Sequence, residues 1–405
     1  MLDVYCHCCL ESKPRGYAKN MGQTDTGLKK IYQIVLLLLL IYLFFLSIVM
    51  MGASFKSFKG LSENLITSVS NPLMGLIIGI LTTSIVQSSS TTTSIVVGLV
   101  ASNILGARSI SIAIPIIMGA NIGTTITNTI VSLGHISRSD EFKRAYSCAI
   151  VHDIFNIIAV AILLPLEIMF GIIQKISIQL GSFFLHSNIR GAEFKSPVAA
   201  ITKPVVGFLY DPKYPEADPG FLQRIFPQSI AQIVILILAL ILLFFAMKYM
   251  VKIIRKLVIG RVEQFFSDYI FRNGVLAFLL GLILTAIVQS SSITTSIVVP
   301  LAGAGILTIY QVFPYTVGAN IGTTVTTLMA ALATCSAPAL VVALSHLTFN
   351  VMASVIILPV RQIRNVPIKA AQSISNLTMK SKLYPILIML GVFFIIPLCL
   401  LLLTR

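Results

Sequence analysis

Charged residues are scarce in this sequence of 405 residues. Asp, Glu, Lys and Arg together make up 11% of it, whereas roughly 25% is usual in a soluble globular domain. Hydrophobic residues make up 56%, and the mean hydropathy is +0.94. A water-soluble fold of this size cannot hide so much apolar surface, so the composition excludes a soluble protein and predicts a polytopic membrane protein.

Acidic residues are especially few: 14 Asp and Glu stand against 29 Lys and Arg, a formal net charge of +15. In a soluble protein this excess would suggest nucleic acid as a partner. Here 18 of the 29 basic residues fall in four stretches that the apolar segments place on one side of a membrane: 1–30, 135–144, 248–261 and 361–382. Because basic residues are enriched on the cytoplasmic side, we assign these stretches to the cytoplasm and expect no binding of nucleic acid.

The sequence also lacks the motifs of common enzyme classes. It contains no Gly-x-Ser-x-Gly elbow, no P-loop, no His-Glu-x-x-His motif and no pair of catalytic carboxylates. We therefore expect no enzyme, no cofactor and no ATPase that would power a pump. Cys6, His7, Cys8 and Cys9 crowd the N-terminus, but no second ligand cluster completes a zinc site there, so we expect a frayed tail.

Long apolar stretches predict membrane helices, beginning with 31–51, which has the ~20 residues that a bilayer requires. The expected fold is an all-α polytopic membrane protein with two inverted repeats, each a re-entrant helical hairpin followed by spanning helices. We divide the chain into a cytoplasmic basic tail (1–30), a first transmembrane helix and repeat 1 with hairpin 73–105 (31–181), an extracytoplasmic loop (182–228), repeat 2 with its preceding helix and hairpin 274–307 (229–360), and a basic interfacial segment with the final transmembrane helix (361–405).

The two halves of the chain repeat each other in order. The matching segments are TSIVQSSSTTTSIVV at 83–97 with TAIVQSSSITTSIVV at 285–299, GANIGTTIT at 119–127 with GANIGTTVT at 318–326, and HDIFN at 152–156 with HLTFN at 346–350. If each hairpin returns to its own side of the membrane, the count of preceding helices makes the first open outward and the second inward. Such inverted repeats are common in secondary transporters, whose substrate site lies near the membrane midplane.

Each hairpin segment is interrupted by a polar run of eight residues, QSSSTTTS at 87–94 and QSSSITTS at 289–296, the second of which includes one apolar residue, Ile293. The flanking arms of roughly 11–14 residues span only ~16–21 Å, less than the ~30 Å hydrocarbon core. Irregular backbone at that depth must be enclosed by protein or line a cavity, so we predict tips near mid-membrane. Close packing of small residues is the alternative, which we favour for an isolated Ser-Ser pair but not for this doubled run.

The tips offer hydroxyl and carboxamide oxygens and no Lys or Arg. Neutral oxygens suit a partly dehydrated Na⁺, and the N-termini of half-helices suit an anion. Without a basic side chain, a divalent anion such as phosphate needs bound cations to offset its charge. Cation-coupled uptake is therefore the natural mechanism.

GANIGTT follows each hairpin, at 119–125 and 318–324. Its glycines fit close helix packing, whereas Asn121 and Asn320 need hydrogen-bond partners if they are buried. We therefore predict broken or loosened helices that face the tips.

His152 and Asp153 lie in the next predicted span, and Asp153 has Leu347 as its counterpart in the second repeat. An ionisable residue inside a membrane is a functional candidate by default. A structural role and a role in proton or sodium handling both stay open.

The doubled Gln-Ser-Ser-Ser hairpins, the two GANIGTT segments and VHDIFN at 151–156 together resemble the type II sodium-dependent phosphate cotransporter family. The resemblance covers roughly 61–166 and 229–360. It implies an inverted-repeat fold and uptake of inorganic phosphate coupled to Na⁺ across the lipid bilayer. It assigns substrate and sodium binding to Gln87, Ser88, Ser89, Ser90, Thr91, Thr92, Thr93, Asn121, Thr124, Thr125, Gln289, Ser290, Ser291, Ser292, Thr294, Thr295, Asn320, Thr323 and Thr324.

Two departures from the family pattern carry expectations. Vertebrate relatives have a large, disulfide-bonded and glycosylated outer loop, whereas 182–228 has neither a cysteine nor an Asn-x-Ser/Thr site, as expected of a bacterial inner-membrane member. Ile293 stands where the first tip has Thr91, so the tips should contribute unequally. The alternatives are a Na⁺-coupled carrier of another anion such as a dicarboxylate, and a passive channel or regulatory membrane protein.

The charge distribution yields a topology prediction. In a variant without native cysteines, Ser196→Cys in the 182–228 loop should react with a membrane-impermeant thiol reagent added to intact cells, whereas Ser267→Cys should not. Labelling of Ser267→Cys alone would reverse the assigned orientation.

Overall fold

The computed structural model describes residues 18–57, 71–188, 197–212, 218–262 and 273–403. These residues form helices and connecting turns and contain no strand. The Cys-rich stretch 6–9 and the labelling positions 196 and 267 lie outside the described residues. The predicted all-α class is confirmed.

In chain order the helices are α1 (Ala18–Ser57), α2 (Pro72–Val86), α3 (Ser89–Ala101), α4 (Ser109–Thr124), α5 (Ile126–Leu133), α6 (Ser139–Phe170), α7 (Ile172–Asn188), α8 (Pro197–Leu209), α9 (Phe221–Ile225), α10 (Gln228–Val262), α11 (Gly274–Val288), α12 (Ser291–Gly303), α13 (Ile309–Thr334), α14 (Ala337–Ile357), α15 (Arg361–Thr378), α16 (Tyr384–Leu390) and α17 (Ile396–Leu403). A π-helical turn, Gly391–Ile395, joins α16 to α17. Within the described ranges, seven helical stretches are long and apolar enough to cross a membrane: Ile31–Ser57, Ser109–Leu133, Ser139–Phe170, Gln228–Ile254, Ile309–Thr334, Ala337–Ile357 and Tyr384–Leu403. The chain is therefore a multi-pass membrane protein.

The first polar interruption is a sharp reversal between α2 and α3. Gln87 ends α2 with a left-handed φ of 56°, and Ser88 caps α3 by accepting a hydrogen bond from the Thr91 N–H at 3.2 Å. Thr83 Oγ1 donates to Thr92 Oγ1 at 2.9 Å, although a straight helix would separate positions nine apart by ~13.5 Å. The chain therefore folds back, and arms of 15 and 13 residues reach only about 20–22 Å.

The second interruption has the same construction between α11 and α12. Gln289 ends α11 with φ 59°, and Ser290 stands at the N-cap of α12. The hydroxyls of Thr285 and Thr294 lie 2.6 Å apart, so this chain also folds back. The tip pattern identified in the sequence thus produces one local structure twice.

Glycines allow each first arm to press directly against the helix that carries GANIGTT. α2 packs along α4, and α11 packs along α13. A Cβ added at Gly119 would collide with the backbone carbonyl of Leu76, and one added at Gly318 would collide with that of Phe278. The glycines therefore have the packing role expected of small residues in membrane helices.

The two GANIGTT helices differ. α4 ends at Thr124 and α5 starts at Ile126, and the Thr125 N–H bonds to the Ile122 carbonyl three residues back at 3.3 Å. α13 instead runs without a break from Ile309 to Thr334. A loosened helix was expected in both repeats; this is confirmed in the first and wrong in the second, where the hydroxyl-bearing residues stay within regular helix.

The region predicted as an outer loop, 182–228, is largely helical where the structure describes it. α7 runs through the expected boundary at 181 and packs against α14, with Ser177 Oγ donating to Thr348 Oγ1 at 3.3 Å. α8 packs against α1. The polar composition of 182–228 did not predict these helices, because a helix that packs through one face needs apolar residues on that face only.

The basic segment after the second repeat forms the amphipathic helix α15, which packs against α6. Ile368, Ala371 and Ser375 are buried along one face, and Ser375 Oγ donates to the Lys143 carbonyl at 2.8 Å. Arg361 and Lys369 are exposed, as expected of a helix lying at a membrane interface.

The glycine contacts give a stability prediction. Gly119→Ala should destabilise the fold, because the Leu76 carbonyl belongs to a packed helix and cannot rotate away; overpacking typically costs ~1–3 kcal/mol. We expect a fall of several degrees in the thermal unfolding midpoint of the detergent-solubilised protein, measured by size-exclusion chromatography after heating.

Gly207→Ala in α8 is the matched control, since a Cβ there meets nothing within 4 Å. Its midpoint should equal or slightly exceed that of the wild type. Equal midpoints for both variants would contradict the packing role of Gly119.

Candidate functional site

The tips of the two hairpins meet. Ser90 Oγ in the first tip donates a hydrogen bond to the backbone carbonyl of Gln289 in the second tip at 3.0 Å. The glutamines differ in environment, because Gln87 is exposed whereas Gln289 is only 7% exposed. The structure thus joins two tip residues that lie 199 positions apart in the sequence.

The first tip also contacts the GANIGTT helix of the other repeat. The hydroxyls of Thr93 and Thr327 lie 2.9 Å apart, and the Thr327 hydroxyl lies 2.9 Å from His346 Nδ1. Thr93, Thr327 and His346 are fully or almost fully buried. The tip is therefore linked through α13 to a histidine of α14.

The second tip mirrors this crossing. Thr295 Oγ1 donates to Asn128 Oδ1 at 2.9 Å, and Asn128 Nδ2 lies 3.4 Å from His152 Nδ1. Ser292 Oγ donates to the Thr124 carbonyl at 3.4 Å, at the point where α4 ends. Each tip is thus hydrogen-bonded to helices that contain or directly follow GANIGTT in the opposite repeat. The first tip bonds to α13, and the second tip bonds to α4 and α5.

The motif asparagines have unequal partners. Asn320 Oδ1 lies 2.6 Å from His152 Nε2, and Asn320 Nδ2 donates to Asn156 Oδ1 at 2.7 Å. Asn156 in turn donates to the Asn121 carbonyl at 2.8 Å. Asn121 itself donates only to the Ile117 carbonyl of its own helix, at 3.1 Å.

The residues predicted to bind substrate and sodium form a largely enclosed polar group. Those that are buried are Ser89, Ser90, Thr91, Thr92, Thr93, Asn121, Thr124, Thr125, Gln289, Ser291, Ser292, Thr294, Thr295, Asn320, Thr323 and Thr324. Gln87 is exposed, and Ser88 and Ser290 are half-buried. Two cavities, of about 510 and 530 Å³, lie outside this polar group; the first is lined in part by Asn273 and the second by Arg144.

Several predicted hydroxyls bond within their own helix rather than across the site. Thr124 donates to the Ala120 carbonyl at 2.8 Å, and Thr323 donates to the Ala319 carbonyl at 3.0 Å. Such bonds use the hydroxyl proton and leave oxygen lone pairs available. The hydroxyls of these threonines can therefore still offer oxygen to a cation, although the contact of Thr124 with the second tip is made by its backbone carbonyl.

Sequence reasoning missed Asn128 and Thr327 as members of this group, and it noted Asn156 beside His152 without assigning it to the binding residues. Asn128 lies seven residues after Asn121, and Thr327 lies seven after Asn320, which places each pair on one helix face. That spacing was visible and could have extended the motif beyond GANIGTT.

Asp153 is a buried carboxylate beside the group. Thr129 Oγ1 donates to its Oδ2 at 3.3 Å, whereas Oδ1 has no hydrogen-bond partner. A cavity of about 60 Å³ adjoins it and is also lined by Tyr146, whose hydroxyl likewise has no partner. In the described part of the chain, this carboxylate forms no ion pair.

The comparison with protein families decides the classification. The model described as Na⁺/Pi-cotransporter matches residues 43–186 and 242–395. The chain belongs to the Na⁺/Pi-cotransporter family. Each matched range contains one hairpin and one GANIGTT segment, so the family match covers every residue of the candidate site.

Named relatives of this Na⁺/Pi-cotransporter family member come from mammals. The chain is 31% identical to human sodium-dependent phosphate transport protein 2B, over 90% of the chain and 64% of that protein. It is 32% identical to sheep sodium-dependent phosphate transport protein 2A, over 96% of the chain and 70% of that protein. The orang-utan 2B protein gives 31% over the same shares as the human one.

The chain thus spans 64% of the length of the 2B relatives that it matches. The comparison with solved structures found no match.

Proposed function

We propose that this Na⁺/Pi-cotransporter family member is a secondary active transporter that takes up inorganic phosphate by symport with sodium. The observation that carries the proposal is the meeting of two buried, oxygen-rich hairpin tips at Ser90 and Gln289. Family membership and the names of the relatives support phosphate and sodium as the transported species. Sodium enters as the coupling ion and not as a resident cofactor.

The chemistry of the tips suits an anion that travels with cations. The residues predicted to bind include no Lys or Arg, so the protein supplies no full positive charge to phosphate there. α3 and α12 both begin at the tips, and helix N-termini favour anions through free N–H groups. Hydroxyl and carboxamide oxygens of the same tips suit Na⁺, whose charge offsets that of phosphate.

We place transport in the plasma membrane of a bacterium, the inner membrane. The multi-pass fold requires a membrane, and the absence of cysteine and of glycosylation sites from 182–228 supports a bacterial setting. Localisation of a fluorescent fusion, or fractionation of the native membrane, tests this assignment; recovery in another membrane would overturn it.

The central test is uptake of radiolabelled phosphate into proteoliposomes. An inward sodium gradient should drive accumulation above the external concentration, and replacing Na⁺ with choline should abolish it. Equal uptake with choline would remove the sodium coupling. Accumulation of succinate but not phosphate would indicate a dicarboxylate carrier, and equilibration without accumulation would indicate a channel.

The tips give a second prediction. Gln87→Ala and Gln289→Ala each remove a carboxamide from the site while keeping the backbone carbonyl that Ser90 contacts. Loss of a hydrogen bond to a charged group costs roughly 1.5–3 kcal/mol, so apparent affinity for Na⁺ or phosphate should fall about 10-fold to 150-fold. The two losses should be unequal, because only Gln289 is buried.

Initial uptake rates across Na⁺ and phosphate concentrations measure both affinities. Gln311→Ala is a matched control, because Gln311 lies in an exposed capping contact with Thr308, away from the tips. Wild-type kinetics in both tip variants, at normal amounts of folded protein, would contradict the site.

Asp153 gives a third prediction. A buried carboxyl group without an ion pair is unfavourable in its charged form unless a proton or a metal cation accompanies it, and Na⁺ is a cation that the proposed cycle supplies. Asp153→Asn keeps the shape and removes the charge, so it should weaken the sodium dependence of uptake more than the phosphate dependence. An unchanged sodium dependence would assign Asp153 a structural role.

A further inference from the structure

The two repeats differ in how well they satisfy their buried histidines and asparagines. In what we call the first histidine chain, His152 donates from Nε2 to Asn320, and Asn320 donates to Asn156. Asn128 donates to His152 Nδ1, so this nitrogen accepts and Nε2 carries the proton. All four side chains are buried, and each has a partner.

The corresponding residues of the other half are His346, Asn121 and Asn350, which we call the second histidine set. Among the residues that the structure describes, His346 Nε2 and Asn350 Oδ1 are buried and find no hydrogen-bond partner. Asn350 donates to the His346 carbonyl at 3.0 Å, within its own helix. Buried polar groups without partners are rare, so two at equivalent positions require an explanation.

Separation of the helices does not explain the missing bonds. α14, which carries His346 and Asn350, packs against α4, which carries Asn121, just as α6 packs against α13. His346 Nδ1 also keeps its contact with Thr327, the counterpart of Asn128. His346, Asn350 and Asn121 therefore lie on neighbouring helices and carry suitable donors and acceptors, but these groups are not placed to form hydrogen bonds with one another.

We propose that the second histidine set bonds in the opposite-facing state of the transporter, while the first histidine chain opens. His346 Nε2 would donate to Asn121 Oδ1, and Asn121 Nδ2 to Asn350 Oδ1. This rests on the proposed function, because only a carrier needs two facing states. The exchange replaces one set of buried hydrogen bonds by an equivalent one, which keeps the two states close in free energy.

His346 and Asn350 act here as positioning residues. His346 is linked through Thr327 to Thr93 in the first tip, whereas His152 is linked through Asn128 to Thr295 in the second. When His152 is bonded to Asn320, it holds α13, which contacts the first tip. When His346 is bonded to Asn121, it would hold α4, whose end contacts the second tip. The exchange of hydrogen bonds therefore couples the position of one tip to the position of the other.

The test compares Asn156→Ala with Asn350→Ala, which are matched by repeat position. Each is made in a variant without native cysteines that carries either Q87C or Q289C, and thiol labelling rates are measured in proteoliposomes without Na⁺ and phosphate. In the parent, Q87C should react faster than Q289C, since only Gln87 is exposed.

Asn156→Ala breaks a bond of the present state, so Q289C labelling should rise and Q87C labelling should fall. Asn350→Ala removes the bond to Asn121 that forms only in the opposite state, whereas the bond to the His346 carbonyl within α14 is lost in both states and favours neither. Q289C labelling should therefore fall further. Each change should be about 3-fold to 10-fold, the factor expected for one hydrogen bond, and the double variant should return near the parent ratio. Shifts in the same direction, or lower thermal stability with an unchanged labelling ratio, would overturn the exchange.

If an alanine variant does not fold, N156S and N350S replace it in the same comparison. To separate the two proposals, sodium-driven phosphate uptake is measured in parallel proteoliposomes that contain the wild-type protein. Sodium-driven uptake with same-direction shifts would overturn the exchange and leave the proposed function. Opposite shifts without uptake of phosphate would overturn the proposed substrate and leave the exchange.

Discussion

Reversing the backbone inside an apolar layer is the constraint on which this structure depends. At Gln87 and Gln289 the chain leaves one helix and starts another, which exposes N–H and C=O groups that hydrocarbon cannot satisfy. A hydroxyl pair across each reversal, Thr83 with Thr92 and Thr285 with Thr294, ties the arms together. The opposite repeat contacts both tips, and Gln289 is buried whereas Gln87 stays exposed.

Two other unusual features of the fold accompany these contacts. The arms are too short to cross a membrane alone, and glycines at Gly119 and Gly318 let each first arm lie directly on a neighbouring backbone. The second arms make the polar contacts, from Thr93 and Thr295 to the opposite repeat. One arm of each hairpin thus supplies close packing, and the other supplies polar bonds to the opposite repeat.

The polar runs made the reversals at Gln87 and Gln289 predictable, because a run of seven or eight polar residues in the middle of an apolar segment does not suit a continuous membrane helix. The sequence GANIGTT predicted a break in both repeats, but it forms unbroken helix in α13. The break at Thr125 could therefore not be predicted from the motif alone. The same motif thus takes two local structures, which its own residues do not distinguish. Sequence likewise could not show that Asn320 would find partners in His152 and Asn156 while Asn350 would not.

The repeats carry nearly the same tips but not the same charge. Asp153 lies in a predicted span, and its counterpart in the second repeat is Leu347. Within the hydrocarbon layer a charge experiences the membrane potential, and moving one elementary charge through it is worth roughly 2.3 kcal/mol per 100 mV. Where Asp153 is ionised and moves along the membrane normal during the cycle, an applied voltage does electrical work on the first repeat, whereas the uncharged Leu347 gives it no corresponding charge in the second.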